Sequence, residues 1–147
     1  MFSEPIGNVM ERKLLTAPPE ITVGEAARLM AKRKVGAVLV VGEDRRLIGI
    51  FTERDAVFRV IARGLNPRTT PLADAMTRSP LTVHPGKSLG YALLMMHDHG
   101  FRHAPVVEDG KLVGIVSARS ALDPDLEEFV AEAQRREQIR REGEAHP

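Results

Sequence analysis

Apolar positions recur along this chain in short blocks whose spacing alternates between helical and extended. Val23, Ala26, Ala27 and Met30 fall at helical intervals behind Thr22 and Glu25, which stand at capping-box spacing. That pattern predicts a helix from Thr22 to Lys34. Ala37 to Val41 is a continuous valine-rich run too short for a helix, hence a buried strand. A polar turn over Gly42 to Arg46 leads to a second buried strand, Leu47 to Phe51, expected antiparallel to the first. A helix is predicted from Thr52 to Arg63, ended by Gly64. Ahead of these elements, Leu14-Leu15 reads as a short strand stopped by Pro18-Pro19.

The pattern then repeats. A shift of 66 lays Met10 on Met76, Arg12 on Arg78, Leu15 on Leu81, Gly24 on Gly90 and Met30 on Met96. In all, 10 of the 32 positions from 10 to 41 are identical, against roughly two expected by chance. Past Val41 the shift becomes 65, because one turn is a residue shorter, and Gly49, Ile50 and Arg54 meet Gly114, Ile115 and Arg119. Leu65 to Pro71 joins the halves, and Leu72 to Met76 is a short helical lead-in. The second copy is predicted as strand Leu81 to Val83, helix Ser88 to His99, strands Arg102 to Val107 and Lys111 to Val116, and a helix starting at Ser117. A last helix, Pro124 to about Glu142, has Leu126, Phe129, Val130 and Ala133 on one face and is almost wholly charged afterwards. Two units each too small to bury their own sheets are expected to pack on one another as a pseudo-symmetric pair.

Composition narrows the function classes. Hydrophobic residues make up 43% and charged residues 28%, and the net charge of +1 provides no global field for nucleic acid or an anionic membrane. There is no cysteine, so disulfides and thiolate metal sites are excluded. No signal peptide or membrane-length apolar run is read, and the expected compartment is the cytoplasm.

The chemistry concentrates in Gly49-Ile50-Phe51-Thr52-Glu53-Arg54-Asp55 and its counterpart Gly114-Ile115-Val116-Ser117-Ala118-Arg119-Ser120. A hydroxyl at a strand end, followed three residues later by a carboxylate, can bind phosphate and accept hydrogen bonds from two ribose hydroxyls. Thr52 can donate to a phosphate or ribose oxygen, and Arg54 can pair with phosphate. The same two residues also make an ordinary capping box worth about 0.5–2 kcal/mol without any ligand. In the second copy Ser117 and Arg119 match Thr52 and Arg54, but Ser120 replaces Asp55 and has no charged oxygen pair. The two clefts are therefore expected to be unequal. Arg102-His103 stands at the start of a buried strand, where cations are unusual unless paired. His97 and His99 are two apart on a helix and share no face, so no metal site is read. No nucleophile with an adjacent base is found, and no enzymatic activity is expected. The arginines Arg135, Arg136, Arg140 and Arg141 alternate with glutamates as on a solvated helix.

The twofold strand–helix–strand–strand–helix order resembles a tandem pair of cystathionine β-synthase (CBS) domains, a stand-alone Bateman module. The residues that carry the resemblance are Gly49 to Asp55, Asp74-Ala75-Met76-Thr77, Gly100 to Val107 and Asp109 to Ser117. The resemblance implies an α+β fold of two repeats packed through their sheets, divided as 1–66, 67–123 and a charged C-terminal helix or tail over 124–147. It implies a regulatory module that binds an adenosine nucleotide (AMP, ADP or ATP, with NAD or S-adenosylmethionine as further ligands). The module would form a homodimer and act on itself or on a regulated enzyme or transporter. A ligand-free dimerisation scaffold is the alternative. The residues implied in ligand binding are Thr16, Ala17, Ala37, Val38, Phe51, Thr52, Arg54, Asp55, Arg102, His103, Ser117, Arg119 and Ser120. The adenine slot is placed between Leu15 to Ala17, Ala37-Val38 and Phe51.

Overall fold

The fold is seen in a computed structural model that describes residues 2–121 and 123–145, with the side chains of 120–130 and 144–145 outside the description. The first repeat runs α1 (Ile6–Val9), β1 (Thr16–Ala17), α2 (Val23–Arg33), β2 (Ala37–Val41), β3 (Leu47–Thr52) and α3 (Glu53–Asp55). The second runs α4 (Leu72–Ala75), β4 (Thr77–Arg78), α5 (Leu89–His99), β5 (His103–Glu108), β6 (Lys111–Ser117) and α6 (Ala118–Ala121), before α7 (Asp123–Ala145). Helix α2 starts where the Thr22 hydroxyl accepts from the Glu25 backbone N–H. It ends at Lys34, whose φ of 56° is left-handed. Helix α5 is built the same way, with Ser88 as its cap and Gly100 at φ 74°.

Strand β1 lies parallel to β2, and β2 antiparallel to β3, with Val38 opposite Phe51. Strands β5 and β6 form the matching antiparallel pair. Both pairs carry the same irregularity, between Val40 and Val41 in one and between Val106 and Val107 in the other. A bulge at equivalent places is the backbone record of the duplication. Leu39 and Ile50 of the first sheet pack with Leu112 and Ile115 of the second, so the halves meet through their sheets.

The lead-in segments are exchanged between the halves. β4, which precedes the second repeat, pairs with β3 of the first, placing Thr77 opposite Ile50. Glu11, which precedes the first repeat, bridges Ile115 of the second. These pairings are equivalent under the internal shift. Leu72, Ala75 and Met76 accordingly fill the first core, while Ile6, Val9 and Met10 pack into the second. Gly49 and Gly114 make room for the crossing, since a Cβ on either would run into the side chain of Met76 or Met10 respectively.

Four expectations need correction or qualification. The first short strand is Thr16–Ala17 rather than Leu14-Leu15, because it is these residues that align with Leu39 and Val40. Leu81 to Val83 forms no strand: Val83 makes only an isolated parallel bridge to Val106. The helix expected from Thr52 to Arg63 is α-helical only over Glu53–Asp55 and widens to π geometry over Ala56–Ile61. There the Ala62 N–H reaches the carbonyl of Val57, five residues back, at 2.8 Å. The wider turn leaves Val57, Phe58 and Ile61 exposed. In α7, Leu126, Phe129 and Val130 lie outside the described side chains, and Ala133 is exposed. Farther along, Arg135 and Arg136 pair with Glu132, and Arg140 and Arg141 with Glu137.

Candidate functional site

Two clefts open between the halves. The smaller, about 430 Å³, brings together the end of β3 and the start of α3 (Thr52 to Asp55), Phe58 and Arg59, the segment Thr77 to Leu81, and Gly100 to His103. The larger, about 1030 Å³, is its counterpart. It joins Ser117 to Arg119, at the end of β6, to Lys13, Leu14 and Leu15 and to Lys34 to Ala37. Because the lead-in segments cross over, each cleft joins the strand end of one repeat to the lead-in segment of the other.

In the smaller cleft the Thr52–Asp55 cap is complete. The Asp55 N–H donates to the Thr52 hydroxyl at 3.2 Å, and the Thr52 N–H donates to Asp55 Oδ2 at 2.9 Å. Arg59 Nε stands 3.4 Å from the other oxygen, Oδ1, across one turn. Each carboxylate oxygen carries two lone pairs, so both keep room for another donor. Arg54 donates to the Gly100 carbonyl at 3.1 Å and lies 5.7 Å from the centre of the Phe58 ring. Ile50, Phe58, Pro80, Leu81 and Phe101 supply apolar wall.

Glu53, Arg102 and His103 line both clefts and form the partition between them. Burial holds the His103 imidazole below its ordinary pKa of 6.5, against the opposing pull of Glu53, with Arg102 lowering it and Asp55 raising it further. Gly36 permits this crowding. A Cβ there would sit 3.2 Å from Glu53 Oε1 and 3.3 Å from His103 Nε2.

The predicted site residues divide. Thr52, Arg54 and Asp55 gather in the smaller cleft, Ala37, Ser117 and Arg119 in the larger, and Arg102 and His103 in both. Val38 and Phe51 are fully buried core and line neither cleft; the buried Ala17 and the exposed Thr16 line neither cleft either. The apolar slot placed among those residues is therefore not beside Asp55. Strand alternation turns Val38 and Phe51 inward, and the exchange gives the wall beside Asp55 to Pro80, Leu81 and Phe101 instead. The side chain of Ser120 lies outside the described residues. Sequence reasoning missed Thr77, Ser79, Pro80, Leu81, Phe58 and Arg59 in the smaller cleft, and Lys13 and Lys34 in the larger. The internal shift held the signal for most of them, since Lys13 and Leu15 align with Ser79 and Leu81. Among the described residues no group of three or more His, Asp or Glu side chains could hold a metal ion, and no helix is long and apolar enough to cross a membrane.

The fold and the paired clefts define a duplicated α+β module with ligand-sized crevices between its halves. The CBS domain model matches residues 6–62 and 72–125, and the chain belongs to that family, with two copies in tandem. It is 37% identical over 123 residues to an uncharacterized protein of Methanopyrus kandleri, covering 83% of this chain and 63% of that one. It thus spans less than two thirds of that relative's length. Among solved structures, an uncharacterized conserved protein from Pyrococcus horikoshii matches with a TM-score of 0.80 and 36% identity, covering 85% of this chain and 94% of that one. A CBS domain pair in complex with 5′-methylthioadenosine and S-adenosyl-L-methionine matches with a TM-score of 0.72 and 25% identity, covering 79% of this chain and 90% of that one. CBS pairs are regulatory modules that often bind adenosine-containing ligands.

Proposed function

We propose that this chain is a sensor module in which the Asp55 cleft binds an adenosine nucleotide and the occupied cleft changes how the module associates with itself or with a partner protein. The observation that carries the reading is the capped Asp55 carboxylate. It is bonded on one oxygen by the Thr52 N–H, faced on the other by a half-exposed Arg59, and set in a cleft with apolar walls. A vicinal ribose diol would donate one hydroxyl to each oxygen, as acidic residues accept it in dinucleotide folds. Adenine would lie against Pro80, Leu81 and Phe101, and a phosphate would face Arg54, Arg102 and the Thr52 hydroxyl. Ligand and state are linked only if the nucleotide binds two arrangements unequally. The exposed Phe58 lines the cleft and continues into exposed Val57 and Ile61, so association through that face would sense the cleft's contents. A homodimer formed there is the simplest form of the readout.

The test is a thermal-shift panel of AMP, ADP, ATP, NAD and S-adenosylmethionine. A ligand at a hundred times its dissociation constant stabilises by about 2.7 kcal/mol, a readily visible rise in melting temperature. A panel in which nothing shifts the transition, with the protein still self-associating, would favour the ligand-free scaffold instead.

A further inference from the structure

The two clefts are related by the internal duplication, so residues at equivalent positions can be compared directly. Where the smaller cleft has Ser79 and Gly100, the larger has Lys13 and Lys34. Where the smaller has Asp55, the second copy carries Ser120, a residue type with no carboxylate. Arg119 stands in for Arg54. Relative to its counterpart, the larger cleft has gained the cations Lys13 and Lys34 and the anion Glu11, which stands where the smaller has Thr77; it has no equivalent of Arg59, and a serine stands at the position equivalent to Asp55.

These cations are also differently engaged. In the smaller cleft Arg54 donates to the Gly100 carbonyl and Arg59 pairs with Asp55. In the larger, the side chains of Lys13, Lys34, Arg102 and Arg119 form no hydrogen bond or ion pair among the described residues. Four unengaged cations around one concavity of about 1030 Å³ concentrate positive potential there, in a chain whose net charge is only +1. Glu11 and Glu53 are the opposing charges on the lining. Lys34 is held at a left-handed φ of 56° at the end of α2, a conformation that favours glycine. Glycine is the residue the other repeat has there.

From this we propose that the larger cleft is a polyanion site, which takes a linear phosphoanhydride chain of three or more phosphates without needing a ribose diol. The chemistry has two sources, an inorganic polyphosphate or the tail of a nucleoside triphosphate. The proposal goes beyond the sensor reading and does not require the Asp55 cleft to be occupied.

Calorimetric titration of the full chain with inorganic tripolyphosphate tests it, in the wild type, in the double variant Lys13→Ser with Lys34→Gly, and in Lys32→Ala. The double variant gives the larger cleft the residues of its counterpart, and glycine at position 34 relaxes the backbone, so the variant folds. Lys32 is an exposed cation on α2 that lines neither cleft. One tripolyphosphate per chain is expected on the wild type. Affinity should fall at least about tenfold in the double variant and stay within about twofold in Lys32→Ala. No binding to the wild type at low ionic strength, or equal losses in both variants, overturns the proposal. A parallel titration with 2′,3′-dideoxy-ATP names the source: tighter binding than tripolyphosphate points to nucleotides, and equal binding to inorganic polyphosphate. Loss of ribose-dependent binding in Asp55→Ala is a separate readout, so failure of the sensor reading and failure of this one are told apart.

Discussion

The backbone N–H of Thr52 donates to the carboxylate of Asp55 at 2.9 Å, and the Asp55 N–H returns a bond to the Thr52 hydroxyl at 3.2 Å. The two residues hold each other at the mouth of a cleft before any ligand arrives. Their structural and binding roles separate on mutation. Thr52→Ala removes the cap hydroxyl and should cost about 1 kcal/mol of stability. Asp55→Ala leaves that hydroxyl in place, and its stability cost should also stay near 1 kcal/mol. Urea denaturation of both variants checks this. A loss of several kcal/mol in Asp55→Ala would show that the carboxylate is chiefly a structural element.

Gly49→Ala should destabilise the chain by about 1–3 kcal/mol, the range for overpacking a filled site. Its Cβ would collide with Met76 and stand 3.0 Å from the Thr77 carbonyl oxygen. Gly114→Ala should behave alike, because Met10 and the Glu11 carbonyl oxygen occupy the same places there. Near-neutral effects at both positions would argue against the exchanged lead-ins.

His103 makes stability depend on pH. Its folded pKa lies below the ordinary 6.5 because it is buried, so the unfolded chain takes up its proton first as pH falls. The contribution is fully present above about pH 6.5 and is lost on acidification below it. His103→Gln should flatten that part of the stability profile. Removing the charge of Glu53, which pulls the pKa up, should lower it further. An NMR titration of the His103 ring in Glu53→Gln reads the shift, and a rise would contradict the assigned partition.

Ile61→Asp should abolish self-association while leaving the chain folded. Ile61 is 72% exposed on the π-helical turn, so the substitution places a charge on the face proposed for the homodimer without disturbing the core. Light scattering coupled to size exclusion distinguishes a shift from two chains to one from an unchanged mass.

Much of the fold was legible from residue pattern. Ala37–Val41 and Leu47–Thr52 pair as the apolar runs imply, and Thr22, Ser88 and Gly100 begin and end helices as their chemistry dictates. The exchange of lead-ins was not legible. Apolar spacing shows that Met76 is buried but not which of two similar cores receives it. The expected apolar slot divides for the same reason: Val38 and Phe51 are buried in the core, Leu15 and Ala37 line the larger cleft, and Pro80 and Leu81 cross over to the Asp55 cleft. The π-helical turn also escaped detection, because Val57, Phe58 and Ile61 follow an α-helical sequence as readily as a widened one.

The central claim is that the Asp55 carboxylate grips the sugar of an adenosine nucleotide. Titrating the wild type and Asp55→Ala with the nucleotide that gives the largest thermal shift measures it directly. Loss of two charge-assisted bonds should weaken binding by about a hundredfold in the variant, with the folded baseline intact. Equal affinity in the two proteins would place the nucleotide somewhere other than this cleft.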